Sequence, residues 1–254
     1  MPTVRIGPSI GLLSQVLLLV ALAGTVGLTV IGWLLGIACG VATNASLARG
    51  LDRFGADALG PADRVTLVRA TLIGAVAALM ADAFVRPAAV PALVTLSVVA
   101  LVLDAADGWV ARRTGTASPL GARFDGEVDA FLILVLSVYV ARSIGPWVLA
   151  IGAARYVFLA AGWLLPWVRA ALPARYWRKT VAAIQGITLT VAAADVLPRR
   201  GTEAVLVVAL LLLAESFGRD VWWLRRESVV LAERRPIAAS LVRHGVSERE
   251  SGLA

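Results

Sequence analysis

From Ile6 to Ala48 the chain carries no charged residue. As one helix that run would be roughly 65 Å long, about twice the apolar thickness of a bilayer. It therefore predicts a hairpin of two membrane spans, near 9–24 and 29–48, turning around Gly24-Thr25-Val26-Gly27. One long tilted helix running into the cytoplasm is the alternative. Residues 49–64 (RGLDRFGADALGPADR) mix charge with glycine and proline and read as a cytoplasmic or interfacial linker. Pro61-Ala62-Asp63 then opens the next helix, with proline in the first turn and an acidic group at the positive end of the dipole. Apolar blocks follow near 65–85, 88–111, 119–141, 145–168, 178–197 and 202–224, six spans after the hairpin. From Arg225 to Ala254 the charges are closely mixed, which predicts a cytoplasmic tail, partly helical and then disordered. The pattern is that of an all-α, polytopic membrane helix bundle.

Composition agrees. The 254 residues are 59% hydrophobic and 16% charged, with mean hydropathy +0.82, whereas a soluble domain is about half apolar and a quarter charged. A single cysteine, Cys39, excludes a disulfide framework within the chain. The net charge of +7 would suggest nucleic acid in a soluble protein. Here the arginines bunch beside the spans, which topology and anionic lipid explain, so no nucleic-acid partner is expected. Arg86, Arg142, Arg199 and Arg200 fall on one side, and a larger set running from Arg49 to Arg226 falls on the other. The richer side is expected to be cytoplasmic. The apolar run after Arg5 is much too long for a signal-peptide core. Near absence of lysine, with abundant Ala, Val and Arg, suits a bacterial plasma-membrane protein. His244 lies alone in the tail and takes no catalytic role.

Within this apolar background, residues 104–129 read DAADGWVARRTGTASPLGARFDGEVD. Helical periodicity puts Asp104, Asp107, Gly108, Ala111 and Arg112 on one stripe, and Gly121, Asp125 and Asp129 on a second. Ser118 and Pro119 supply a cap and a first helical residue between them. Two helices joined so closely are expected to pack antiparallel, with the stripes facing. Four carboxylates meeting in one place repel unless a cation sits among them, and an all-oxygen ligand set suits Mg²⁺ or a similar hard ion. Glu127 points about 100° or more from each neighbouring aspartate and falls outside the ligand set.

The spacing Asp-x2-Asp-Gly-x2-Ala-Arg-x8-Gly-x3-Asp-x3-Asp resembles the signature of the CDP-alcohol phosphatidyltransferase family, and all eight of its fixed positions are filled. The resemblance implies a six-helix catalytic core over roughly 65–224, preceded by the hairpin. It implies transfer of a phosphatidyl-type group from a CDP-linked lipid, such as CDP-diacylglycerol, to an alcohol, with release of CMP. One or two Mg²⁺ or Mn²⁺ ions would be held by Asp104, Asp107, Asp125 and Asp129, with Asp129 favoured as general base. Gly108, Ala111 and Gly121 would lie under the cytidine; close helix–helix contact is their plainer reading. Arg112 would touch a phosphate or simply flank its span. Family members often carry Asn-x2-Thr-x2-Arg ahead of the signature. Here Asp63 stands in place of asparagine, with Thr66 and Arg69 as substrate contacts or ordinary flanking residues. Homodimers are common in the family.

The acceptor is not readable from these residues. Arg155 lies inside an apolar span, where a charge is costly and functional by default. It would bind acceptor phosphate or pair with Glu215 or Asp195. Arg175, Arg178 and Lys179 form a second basic cluster, for an anionic acceptor or for anchoring at the membrane surface. A divalent-cation transporter would also use intramembrane carboxylates, but these cluster at one face with none continuing through the far half. An inactive membrane scaffold would not need the complete motif.

Overall fold

The computed structural model describes residues 6–54, 61–114, 119–165, 167 and 176–251, with most of their side chains. The described residues form eight α helices and no strand: α1 (Ile6–Thr25), α2 (Val30–Phe54), α3 (Pro61–Asp82), α4 (Val90–Thr114), α5 (Pro119–Ile144), α6 (Leu149–Leu164), α7 (Tyr176–Ala193) and α8 (Arg199–Ser251). A short 3-10 turn, Pro146–Val148, leads into α6. The order is the expected hairpin followed by six helices. The chain reverses at residues 26–29, where Gly27 takes φ 76°, so the single long helix is excluded.

α3 is the axis of the bundle. It packs against α1, α2, α4 and α5, and Ile73 to Ala83 are all buried. The run Ala75-Val76-Ala77-Ala78 gives it a narrow profile, so neighbours approach closely from several sides. α5 packs on α3, α6 and α7, and α7 in turn on α4 and α8. Gly152 of α6 sits so near α5 that an added Cβ would lie 2.8 Å from Leu134 Cα. The outward faces are apolar: Leu13, Leu34, Val157, Trp163, Leu164 and Leu211 are all at least 60% exposed. In water such a surface would drive association; in lipid it is the expected exterior. Val30–Asp52, Asp63–Asp82 and Pro146–Leu164 are long and apolar enough to cross a membrane. The protein is a multi-pass membrane bundle.

The hairpin is keyed into the core. Gly32, Gly36 and Gly40 form a four-residue stripe on α2, facing Asp82, Leu19 with Ala78, and Gln15 respectively. At the turn, the Thr29 amide and hydroxyl donate to the Asp82 carboxylate at 3.1 and 2.5 Å. Arg86 donates to the same carboxylate from Nε at 3.0 Å and reaches back to the carbonyls of Val26 (2.9 Å) and Gly27. Asp82 is 2% exposed, so these bonds operate with little competing water.

Two boundaries differ from expectation. α2 continues to Phe54 and absorbs the start of the expected linker; residues 55–60 lie outside the described ones. α8 does not stop near 224 but continues to Ser251, so the expectation of a tail that becomes disordered is corrected. From Arg219 to Arg235 the sequence has neither glycine nor proline and is rich in Arg, with Leu, Ala and Glu, all good helix formers, which carries the helix past 224. Asp82→Ala should leave Arg86 and the Thr29 donors without their shared acceptor. The expected cost is about 3 kcal/mol, in the range for breaking one side of a buried charge pair. It is read as a lowered thermal unfolding midpoint in detergent; an unchanged midpoint would show that this clasp does not hold the hairpin.

Candidate active site

Three carboxylates meet at one end of the bundle. Asp104 comes from the last turns of α4, and Asp125 and Asp129 from successive turns near the start of α5. One oxygen of each lies within 4.8 Å of the others, and each side chain is about one-third exposed. The two acidic stripes do not meet by facing across a simple helix pair. α4 and α5 each pack on α3, and α3 contributes the group between them.

That group is Arg69, whose side chain is 1% exposed. Its Nη1 lies 2.9 Å from Asp104 Oδ1 and 2.5 Å from Asp125 Oδ1, and its Nη2 donates to Asp129 Oδ1. Nε donates to the Ala100 carbonyl at 3.2 Å, which fixes the plane of the guanidinium against α4. A planar cation with five N–H groups can serve several acceptors at once, which a lysine ammonium does less well. One cation against three carboxylates leaves the cluster anionic. An all-oxygen, partly exposed, anionic cluster suits a hard divalent ion.

The remaining predicted residues take up varied positions. Thr66 is buried on α3, one turn before Arg69, with Asp63 a further turn back. Gly108 and Gly121 lie on α4 and α5. The side chains of Asp107, Ala111 and Arg112, and all of Arg175, lie outside the described residues. Arg155 pairs with neither Glu215 nor Asp195; its Nη2 lies 2.7 Å from Glu127 Oε1. α6 packs on α5, which brings Arg155 to Glu127, whereas Glu215 accepts from Trp177 Nε1 at 2.8 Å and from Arg219. Glu127 stands apart from the three converging aspartates, as its helical phase requires. Arg178 faces Asp220 at 3.6 Å, and Lys179 is exposed.

Sequence reasoning placed Arg69 among the acceptor contacts and did not see it between the carboxylates. The available signal was its position in an apolar span, where a buried charge needs counter-charges. With the acidic cluster thus assembled, the CDP-alcohol phosphatidyltransferase family model matches residues 60–225, well over half of the 254. The chain belongs to this family. No curated protein and no solved structure matches it. Members of the CDP-alcohol phosphatidyltransferase family are membrane-embedded transferases that use a CDP-alcohol donor and an alcohol acceptor in phospholipid biosynthesis, generally with divalent cations. The acidic cluster lies inside the matched segment, and the α1–α2 hairpin lies outside it.

Arg69→Ala would leave Asp104, Asp125 and Asp129 facing one another with their shared counter-charge gone. The variant should lose about 3 kcal/mol in a chelating buffer and regain part of it with Mg²⁺. Its unfolding midpoint should therefore shift more on adding the cation than the wild-type midpoint does. Equal shifts in the two proteins would show that the guanidinium does not balance this cluster.

Proposed function

We propose that this protein moves a phosphatidyl group from CDP-diacylglycerol to an alcohol, releasing CMP, at the cytoplasmic face of a bacterial plasma membrane. The observation that carries the reading is the convergence of Asp104, Asp125 and Asp129 at one end of a membrane bundle of this family. The arginine-rich side of the chain is the same side, which supports a cytoplasmic orientation. There a water-soluble nucleotide and a lipid tail can both reach the carboxylates.

Asp104, Asp125 and Asp129, with Asp107 from the signature, would hold one or two Mg²⁺ or Mn²⁺ ions. Bound there, a divalent cation supplies the positive charge that lets a pyrophosphate diester approach an acidic cluster. Arg69 keeps the carboxylates of α4 and α5 at a fixed spacing. By the family signature, Gly108, Ala111 and Gly121 would lie under the cytidine, with Arg112 and Thr66 as further contacts to the nucleotide. The acceptor hydroxyl oxygen attacks the phosphorus of the phosphatidyl phosphate, and the bond from that phosphorus to the bridging oxygen breaks. CMP leaves with the bonding electrons. Asp129 takes the proton from the attacking hydroxyl, so that charge does not build up on the acceptor oxygen. Arg155, Arg178 and Lys179, with Arg175 from the sequence, would be the basic residues available to an acceptor.

The test is CMP release from CDP-diacylglycerol by the purified protein with Mg²⁺ or Mn²⁺ and a panel of alcohols. Asp129→Asn should lower kcat by about 10²–10⁴-fold, the contribution of a positioned general base. Asp104→Ala and Asp125→Ala should abolish release while the variants still insert and elute as folded protein. Full activity in either of the alanine variants would refute the ligand assignment.

A further inference from the structure

The lipid-facing surface is not the same height all round. α1 runs from Ile6 to Thr25 and α2 from Val30 to its first charge at Arg49, each a rise of about 28 Å without a charged residue. That nearly matches the roughly 30 Å apolar core of a bilayer. α8 differs. Near its start Arg199 Nε lies 2.9 Å from Glu203 Oε1, and further on Arg219 Nη1 lies 3.0 Å from Glu215 Oε1. Both pairs face outward: the carboxylate side chains are 40% and 43% exposed, the guanidinium side chains 69% and 59%. From Glu203 to Glu215 the helix rises about 18 Å. The exposed residues between them, Ala204, Val205, Val207, Val208, Leu211 and Ala214, are all apolar.

Charge on an outward face is costly within hydrocarbon, so each pair marks an edge of the apolar belt. Trp177, at the start of α7, marks the same edge as Glu215, to which its Nε1 donates at 2.8 Å. Indoles gather at membrane–water boundaries. α7 agrees: from exposed Lys179 to its end at Ala193 the rise is about 21 Å. The shortfall of α8 against a bilayer of ordinary thickness is about 10 Å. Tilting α8 shortens its projection along the bilayer normal and widens that gap. A glutamate stem is too short to carry its carboxylate so far. The accommodation is left to the lipid, which thins beside a short apolar belt.

We propose that the α7–α8 face fits a locally thinned bilayer, so that the protein's apolar belt is a wedge, at full height along the hairpin and about two-thirds of it along α8. The hairpin packs on α3, whereas α8 packs on α7 and α6, which keeps the tall and short sides apart. The occupant of the short side is the acyl-chain layer of the membrane, with short chains favoured there. This holds whatever group the protein transfers.

The experiment uses the full chain in vesicles of dimyristoleoyl, dioleoyl or dierucoyl phosphatidylcholine, which share a headgroup and differ in thickness. The double variant Glu215→Leu/Arg219→Leu removes one ion pair whole and extends the outward apolar belt from Ala204 to Trp222, about 27 Å. Its unfolding midpoint minus that of wild type should rise from the thinnest bilayer to the thickest by about 5 °C or more. An ion pair that served packing alone would shift the midpoint equally in all three lipids, and that outcome overturns the proposal. Where this variant fails to fold, Arg199→Leu/Glu203→Leu lengthens the belt from the other end and is read in the same way. A lipid-independent difference that disappears as the protein is diluted in lipid also overturns it, and gives the face to a second copy of the chain.

Discussion

A guanidinium enclosed by carboxylates at the end of a membrane bundle is the interaction on which the other features of the site depend. Charge within such a bundle is costly unless compensated, and compensation requires counter-charges at hydrogen-bonding distance. Arg69 meets that requirement with Asp104, Asp125 and Asp129, and its Nε is tied to the Ala100 carbonyl. The result couples three helices at one point. α4 and α5 are not free to choose their spacing, because both answer to one rigid, planar group on α3. A lysine there would supply charge but not the fork that sets two directions at once.

The same arrangement explains how the acidic end can be open on one side and yet held in place. Each aspartate keeps about a third of its surface open while one oxygen is held from behind by Arg69. The open side is where a hydrophilic ligand must enter, and the held side prevents mutual repulsion from splaying the helices. α3, buried against four neighbours, is a suitable carrier for the holding group, since its own position is fixed by packing along most of its length.

Much of this was legible in the sequence because it depends on period and spacing. The charge-free run to Ala48, the apolar blocks after it and the aspartates at three- and four-residue intervals each report local geometry directly. Arg69 was legible as an anomaly but not as a partner, since nothing local says which carboxylates it meets 35 or 60 residues later. Arg155 shows the same limit: its partner is Glu127 on the adjacent helix, while Glu215, the other acidic candidate with Asp195, belongs to α8, and Asp195 lies in the turn after α7. The stripe of Gly32, Gly36 and Gly40 was available in the sequence as small-x3-small spacing. Only the packing tells which helices it lets in. The end of α8 is not legible in the sequence, because mixed charge is compatible with both disorder and an exposed helix.

The glycine stripe and the Asp82–Arg86 clasp have a consequence for where this molecule can be divided. Similarity to the family begins at residue 60, which invites the view that the first two helices are an accessory appended to an independent catalyst. Yet Gln15 fills the groove left by Gly74 of α3, and the carboxylate at the end of α3 shapes the turn that precedes α2. Peeling those helices away would hand a shallow, polar-dotted surface of α3 to hydrocarbon chains that cannot hydrogen-bond to it. The evolutionary border and the mechanical one therefore fall in different places.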